Sequence, residues 1–166
     1  MRMDLIQPFI GSLDTVLAEM MKSPAKIAGL TMEEEGYRKK GLAAVVIFKG
    51  QIEGRIVLDM DPLAAATVAS YIAAAEVDAT ESIVAEAVCE LANMVIGNAV
   101  TLLNDRGFHF KVSPPQVLTQ EQDEKAGQDS EATILRFETP KGNVHLNIAM
   151  RYITPRSSER PAVALR

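Results

Sequence analysis

The residues whose types and spacing most directly suggest chemistry are Glu90 and Asn93. They fall in a long apolar-periodic stretch, and at about 100° per residue Val84, Val88, Leu91, Ala92, Val95, Ala99 and Leu102 gather on one side, which must face a core. Glu86, Glu90, Asn93 and Gly97 gather on the other. A carboxylate and a carboxamide one turn apart therefore project together into solvent, beside Ala87, Met94 and Gly97. The carboxylate can pair with a cation, and the amide can both accept and donate hydrogen bonds. Exposed helix faces usually carry Lys and Arg, yet no basic residue occurs from the start of this stretch until Arg106. A docked protein partner would account for so smooth a face. Chance spacing, with the face packed against a loop of the same chain, accounts for it equally well.

Other catalytic inventories are thin. The chain has no Gly-rich phosphate loop, no HExxH, no paired cysteines for zinc and no nucleophile elbow. His109 and His145 fall on separate predicted strands without metal-ligand spacing and read as ordinary sheet histidines. Cys89 lies in the long helix without an activating cation nearby and reads as a small buried thiol.

The elements that must position the pair follow from periodicity. Ile6, Phe9, Ile10, Leu13, Val16, Leu17, Met20 and Met21 recur at helical spacing, predicting an amphipathic opening helix over 4–21. Residues 26–32 are compatible with a strand of poor alternation. Leu42–Phe48 and Ile52–Met60 flank Lys49-Gly50-Gln51 and predict a hairpin. Asp61-Pro62 supplies an N-cap with proline at the first helical position, opening a short Ala-rich helix to about Ala75. Asp78 and Glu81 have capping-box spacing, so the long helix is expected from about Ala79 to about Asn104, with Gly107 as its stop. Residues 108–118 read as extended around Pro114-Pro115, residues 119–131 as a polar loop, and Ile134–Glu138 with Val144–Tyr152 as a second hairpin. Hairpins on either side of two central helices, with another helix at the start, favour an α+β two-layer domain over a βαβ wind.

At 166 residues the chain suits one domain, expected to span 1–154 with a flexible tail over 155–166. A net charge of −5 argues against nucleic-acid binding, and the basic cluster Arg38-Lys39-Lys40, following Glu33-Glu34-Glu35, reads as a solvated turn. A single cysteine forms no internal disulfide. The opening segment lacks signal-peptide order, and no uninterrupted apolar run approaches the ~18 residues of a membrane span, so a cytoplasmic location without membrane attachment is expected.

The run Glu86-Ala87-Val88-Cys89-Glu90-Leu91-Ala92-Asn93-Met94-Val95-Ile96-Gly97-Asn98-Ala99 resembles the signature of the CheX/CheC/FliY chemotaxis phosphatases. In that family a Glu-x-x-Asn pair on a long helix is followed further along by a proline, a position that Pro114 or Pro115 fits. With one such pair the chain is most similar to the CheX branch. It departs in carrying Glu86 where the family usually has Asp or Ser one turn before the glutamate, which bears on partner contact. The resemblance implies an antiparallel sheet with long helices packed on one face, and a homodimer that hydrolyses the aspartyl phosphate of a CheY-type response regulator. It further implies that Glu90 pairs with a lysine of the regulator, that Asn93 orients the attacking water, and that Mg²⁺ belongs to the regulator, this chain having no cofactor of its own. Two other readings stay open: a module that binds the regulator without hydrolysis, and a flagellar-switch component whose smooth helix face is a permanent interface.

Overall fold

The computed structural model describes residues 3–33, 39–80, 82–119 and 132–153. The expected tail over 155–166, most of the charged turn around Arg38 and most of the polar loop lie outside them.

Helix α1 spans Met3–Met21 and strand β1 Lys26–Glu33. A tight hairpin joins β2 (Leu42–Gly50) to β3 (Ile52–Met60), and helices α2 (Pro62–Ala73) and α3 (Ile83–Asp105) follow. Two short strands, β4 (Phe110–Val112) and β5 (Gln116–Val117), precede the hairpin of β6 (Ala132–Thr139) and β7 (Gly142–Tyr152). All pairings are antiparallel, in the order β1-β6-β7-β3-β2-β4, with β5 also on β2.

Alternation along the strands divides their side chains between two faces. Val46, Phe48, Ile56, Leu58, Leu146 and Ile148 face the helices and join one core with the buried stripes of α1, α2 and α3. Phe48 anchors it, meeting Phe9 of α1 and Phe110 of β4 edge-on at centroid distances of 5.7 and 5.6 Å. Such ring pairs contribute about 0.5–1.5 kcal/mol beyond the area they bury. No helix residue joins the smaller cluster on the opposite face, formed by Ala43, Val45, Val57, Leu118 and Ile134. The helices therefore occupy one side of the sheet, as expected for the two-layer α+β arrangement.

Two helix starts differ from the sequence reading. Asp61 precedes α2 but makes no side-chain cap. Its carboxylate instead accepts from the N–H of Asn143 at 2.7 Å, while its own N–H donates to the Asn143 carbonyl at 3.0 Å, tying α2 to the β6–β7 turn. Gly142 makes that approach possible: at φ 122°, a Cβ there would lie 2.9 Å from the Asp61 carboxylate. Asp78 likewise turns back locally, accepting from the N–H of Thr80 at 3.0 Å. The long helix consequently begins at Ile83 rather than near Ala79. Glu81 lies outside the described residues.

On the helix-free face, Arg55 donates to the Asn147 Oδ1 at 2.7 Å, and Asp59, fully buried, accepts from the N–H groups of Lys40 and Gly41. His145 is buried directly opposite Asp59. Burial first, and then Lys40, push its pKa below the ordinary 6.5, against the pull of Asp59 and Asp61. The folded state therefore disfavours the protonated imidazole relative to the unfolded chain. Stability should be complete above pH 6.5 and decline as pH falls through the depressed folded value. Denaturant midpoints across pH 7 to 5 should show this decline, and His145→Gln should flatten it.

Candidate active site on helix α3

Helix α3 has the length and apolarity to cross a membrane, Glu86 and Glu90 being outweighed by its many Ala and Val residues. Here those apolar residues face the rest of the domain. Leu91, Val95, Ala99 and Leu103 are buried, and two bonds hold α3 to α1. Ser12 donates from its hydroxyl to the Val95 carbonyl at 2.9 Å, and Arg106 donates to the Asp4 carbonyl at 3.3 Å. The helix is thereby braced by α1, its neighbour in the helical layer.

Glu90, Asn93, Met94 and Gly97 form an exposed ridge along the outer side of α3, with Glu86 one turn earlier. Among the described residues neither Glu90 nor Asn93 has a hydrogen-bond partner, and both are exposed. Two neighbours differ from the helical projection. Ala87 is buried rather than beside the ridge, and Leu102 is 47% exposed while Leu103 takes the core position. The buried stripe drifts around the helix, from Val84 and Ala87 at its start to Ile96 and Leu103 near its end, as its neighbours change. A fixed angular projection cannot follow that drift.

The described residues after α3 return along β2. Ser113 is bonded twice to Ile47: its N–H donates to the Ile47 carbonyl at 2.9 Å, and its hydroxyl accepts the Ile47 N–H at 2.9 Å. Further on, Leu118 donates to the Ala43 carbonyl. Between these fastenings Pro114 and Pro115 stand against the exposed ridge. A cleft of about 310 Å³ runs between them, with Asn93 and Gly97 on the helix side and Val46, Ile96, Val100 and Val112 lining its apolar remainder. Asn93 and both candidate prolines, far apart in sequence, thus share one cleft. The Ser113 fastening was not foreseen; a serine ahead of two prolines in an extended stretch is the only trace of it in the sequence.

The remaining candidates lie apart from this cleft. His109 precedes β4 rather than standing in a strand, and its backbone exchanges hydrogen bonds with Gln51. Cys89 is half-buried against the core, and burial, then Glu86, push its thiol pKa up, which keeps it protonated and poorly nucleophilic. Among the described residues no three His, Cys, Asp or Glu side chains converge to hold a metal ion.

Comparison with known proteins bears on this geometry. The family model described as "Chemotaxis phosphatase CheX" matches residues 42–138, a span that includes α3 and the proline wall. The chain belongs to the CheX family. A CheX of Borrelia burgdorferi, solved as a CheX–CheY–BeF₃–Mg²⁺ complex, is 32% identical, with 90% of this chain and 99% of that one covered at a TM-score of 0.66. A CheC-like superfamily protein from Shewanella sp. PV-4 is 23% identical, covering 91% and 99% of the two chains at a TM-score of 0.76. The chemotaxis protein CheX of Vibrio vulnificus is 21% identical, covering 89% and 99% at 0.74. No curated protein matches in sequence. The CheC/CheX-like fold expected from the Glu90/Asn93 segment is thus the fold this chain adopts.

Proposed function

We propose that this CheX-family chain hydrolyses the aspartyl phosphate of a CheY-type response regulator in chemotaxis, with Asn93 orienting the attacking water and Glu90 docking the regulator. The observation that carries the reading is the exposed Glu90/Asn93 ridge on a braced helix, with no bonds to the described residues of its own chain. An acyl phosphate already has a good leaving group, so what the reaction lacks is an aligned water rather than a strong base. A carboxamide can accept from that water and donate to it or to a phosphoryl oxygen, a role akin to the positioning glutamine of GTPases. Glu90, on the same ridge, offers a charge partner for a regulator lysine. Mg²⁺ belongs to the regulator in this reading. The process is cytoplasmic in this reading. Phosphate release from a phosphorylated CheY-type regulator, measured with and without the chain, tests it; an unchanged phosphate lifetime despite stable binding would select the non-catalytic alternative.

The working unit in this reading is a homodimer. Strand β1 pairs with β6 alone, and no described strand lies on its other edge. Ile27 and Leu30, in register with Phe137 and Leu135 of β6, are 53% and 51% exposed. An open edge with apolar side chains favours a second copy. Sedimentation should give a dimer for the native chain and a monomer for Leu30→Lys; a monomeric native chain would remove dimerisation from the model.

A further inference from the structure

Gly97 has no role in its own fold that requires glycine. It lies within α3 without a positive φ, and a Cβ built on it would meet nothing within 4 Å. Glycine inside a helix weakens it relative to alanine, because the unfolded chain has more freedom to lose. Here the Cβ of an alanine would meet no described atom beyond the helix's own backbone. The position is also one turn beyond Asn93, on the rim of the cleft faced by Pro114 and Pro115. Space left open at a cost to the helix, beside the amide proposed to orient the water, points to something that enters from outside.

We infer that this cleft receives an apolar side chain of the phosphorylated regulator, from a position flanking its phosphoaspartate, and that Gly97 sets the clearance for it. The inference rests on the proposed phosphatase reading and adds a specificity-determining residue to it. The cleft is continuous with Asn93, so a regulator whose phosphoryl group reaches the amide must also lie across the cleft. The lining fixes the character of the occupant. Its polar side chains are those of Asn93 and Ser113, and the Ser113 hydroxyl already accepts the Ile47 N–H. A charged group placed there would find no counter-ion among the lining residues, whereas an aliphatic or aromatic one would bury against Val46, Ile96 and Val112. The opposite wall is preformed, since Ser113 is bonded twice to β2 and the proline rings restrict the backbone that follows. The cleft therefore accepts its occupant without first having to be ordered.

Gly97→Ala and Gly97→Leu are the test, because a Cβ at this position meets open space, the longer leucine side chain has the cleft to occupy, and both residues improve helix propensity. Both variants should melt at or above the native temperature. Gly97→Leu should raise KM for the phosphorylated regulator by about tenfold or more, through overfilling of the cleft, while kcat at saturation is kept; Gly97→Ala should fall between. Binding of the regulator activated with beryllofluoride should weaken in parallel, and sedimentation should be unchanged. Unaltered KM and binding would overturn the inference, and so would a shift in oligomeric state, which would make a second copy the occupant. A native chain that binds the activated regulator but releases no phosphate would instead defeat the phosphatase reading, with the binding series still deciding the role of the cleft.

Discussion

Asn93→Ala should lower kcat for phosphate release from the phosphorylated regulator by about a hundredfold, equivalent to about 2.7 kcal/mol of lost transition-state stabilisation. KM should change little. The amide is exposed and bonded to nothing described in its own chain, so its removal leaves the core and the α1 bonds to α3 as they are. What would disappear, on the proposed mechanism, is the group that holds water in line with the phosphorus. One well-aimed hydrogen-bonding group in a water-poor interface is of the right size to supply most of such an effect. Unfolding midpoints should match those of the native chain, which separates lost chemistry from lost fold. Equal rates for the two proteins would remove Asn93 from the mechanism.

Glu90→Ala should act on the other kinetic parameter. With the carboxylate gone, KM for the regulator should rise between about ten- and a hundredfold while kcat at saturation is largely kept, the pattern of a lost cross-interface charge pair. Glu90 sits on the same ridge as Asn93, so a partner engaged by the amide brings its own surface over the carboxylate. The salt dependence of KM should flatten in the variant, because the screened attraction is no longer present. A drop in kcat with unchanged KM would assign Glu90 to the chemistry instead of docking.

Much of this was legible in the residues because burial and period coincide. The stripe of α1 reports its buried face, and the alternation in β3 separates the side chains that face the helices from Arg55, Val57 and Asp59, which are buried on the other face; Glu90 and Asn93 lie opposite the apolar side of α3. Legibility failed where a residue's partner is distant in sequence. Asp61 has the local marks of a helix cap, yet bonds to Asn143, and no local signal announces a partner 82 positions away. Strand β1 alternates poorly because most of it is exposed on both sides and its register shifts between Ile27 and Gly29. Residues 108–118 are extended as expected, but their pairing with β2, and hence the proline wall beside Asn93, depends on register alone. Leu102 and Ala87 show the limit of a helical wheel: it assigns one buried direction to a helix whose neighbours change along its length.

The strand order carries a consequence for biosynthesis. The β6–β7 hairpin, late in the chain, sits in the middle of the sheet, between β1 and β3. A nascent polypeptide that has left the ribosome only as far as Val117 holds α3 and the proline wall, but its β1 has no neighbour and its β3 has one side bare. Ladders that wait on distant segments form slowly and expose adhesive edges meanwhile. A premature stop codon before Ala132 should therefore yield an aggregating fragment rather than a smaller folded domain, and chaperones should meet this protein chiefly while its final hairpin is still being translated.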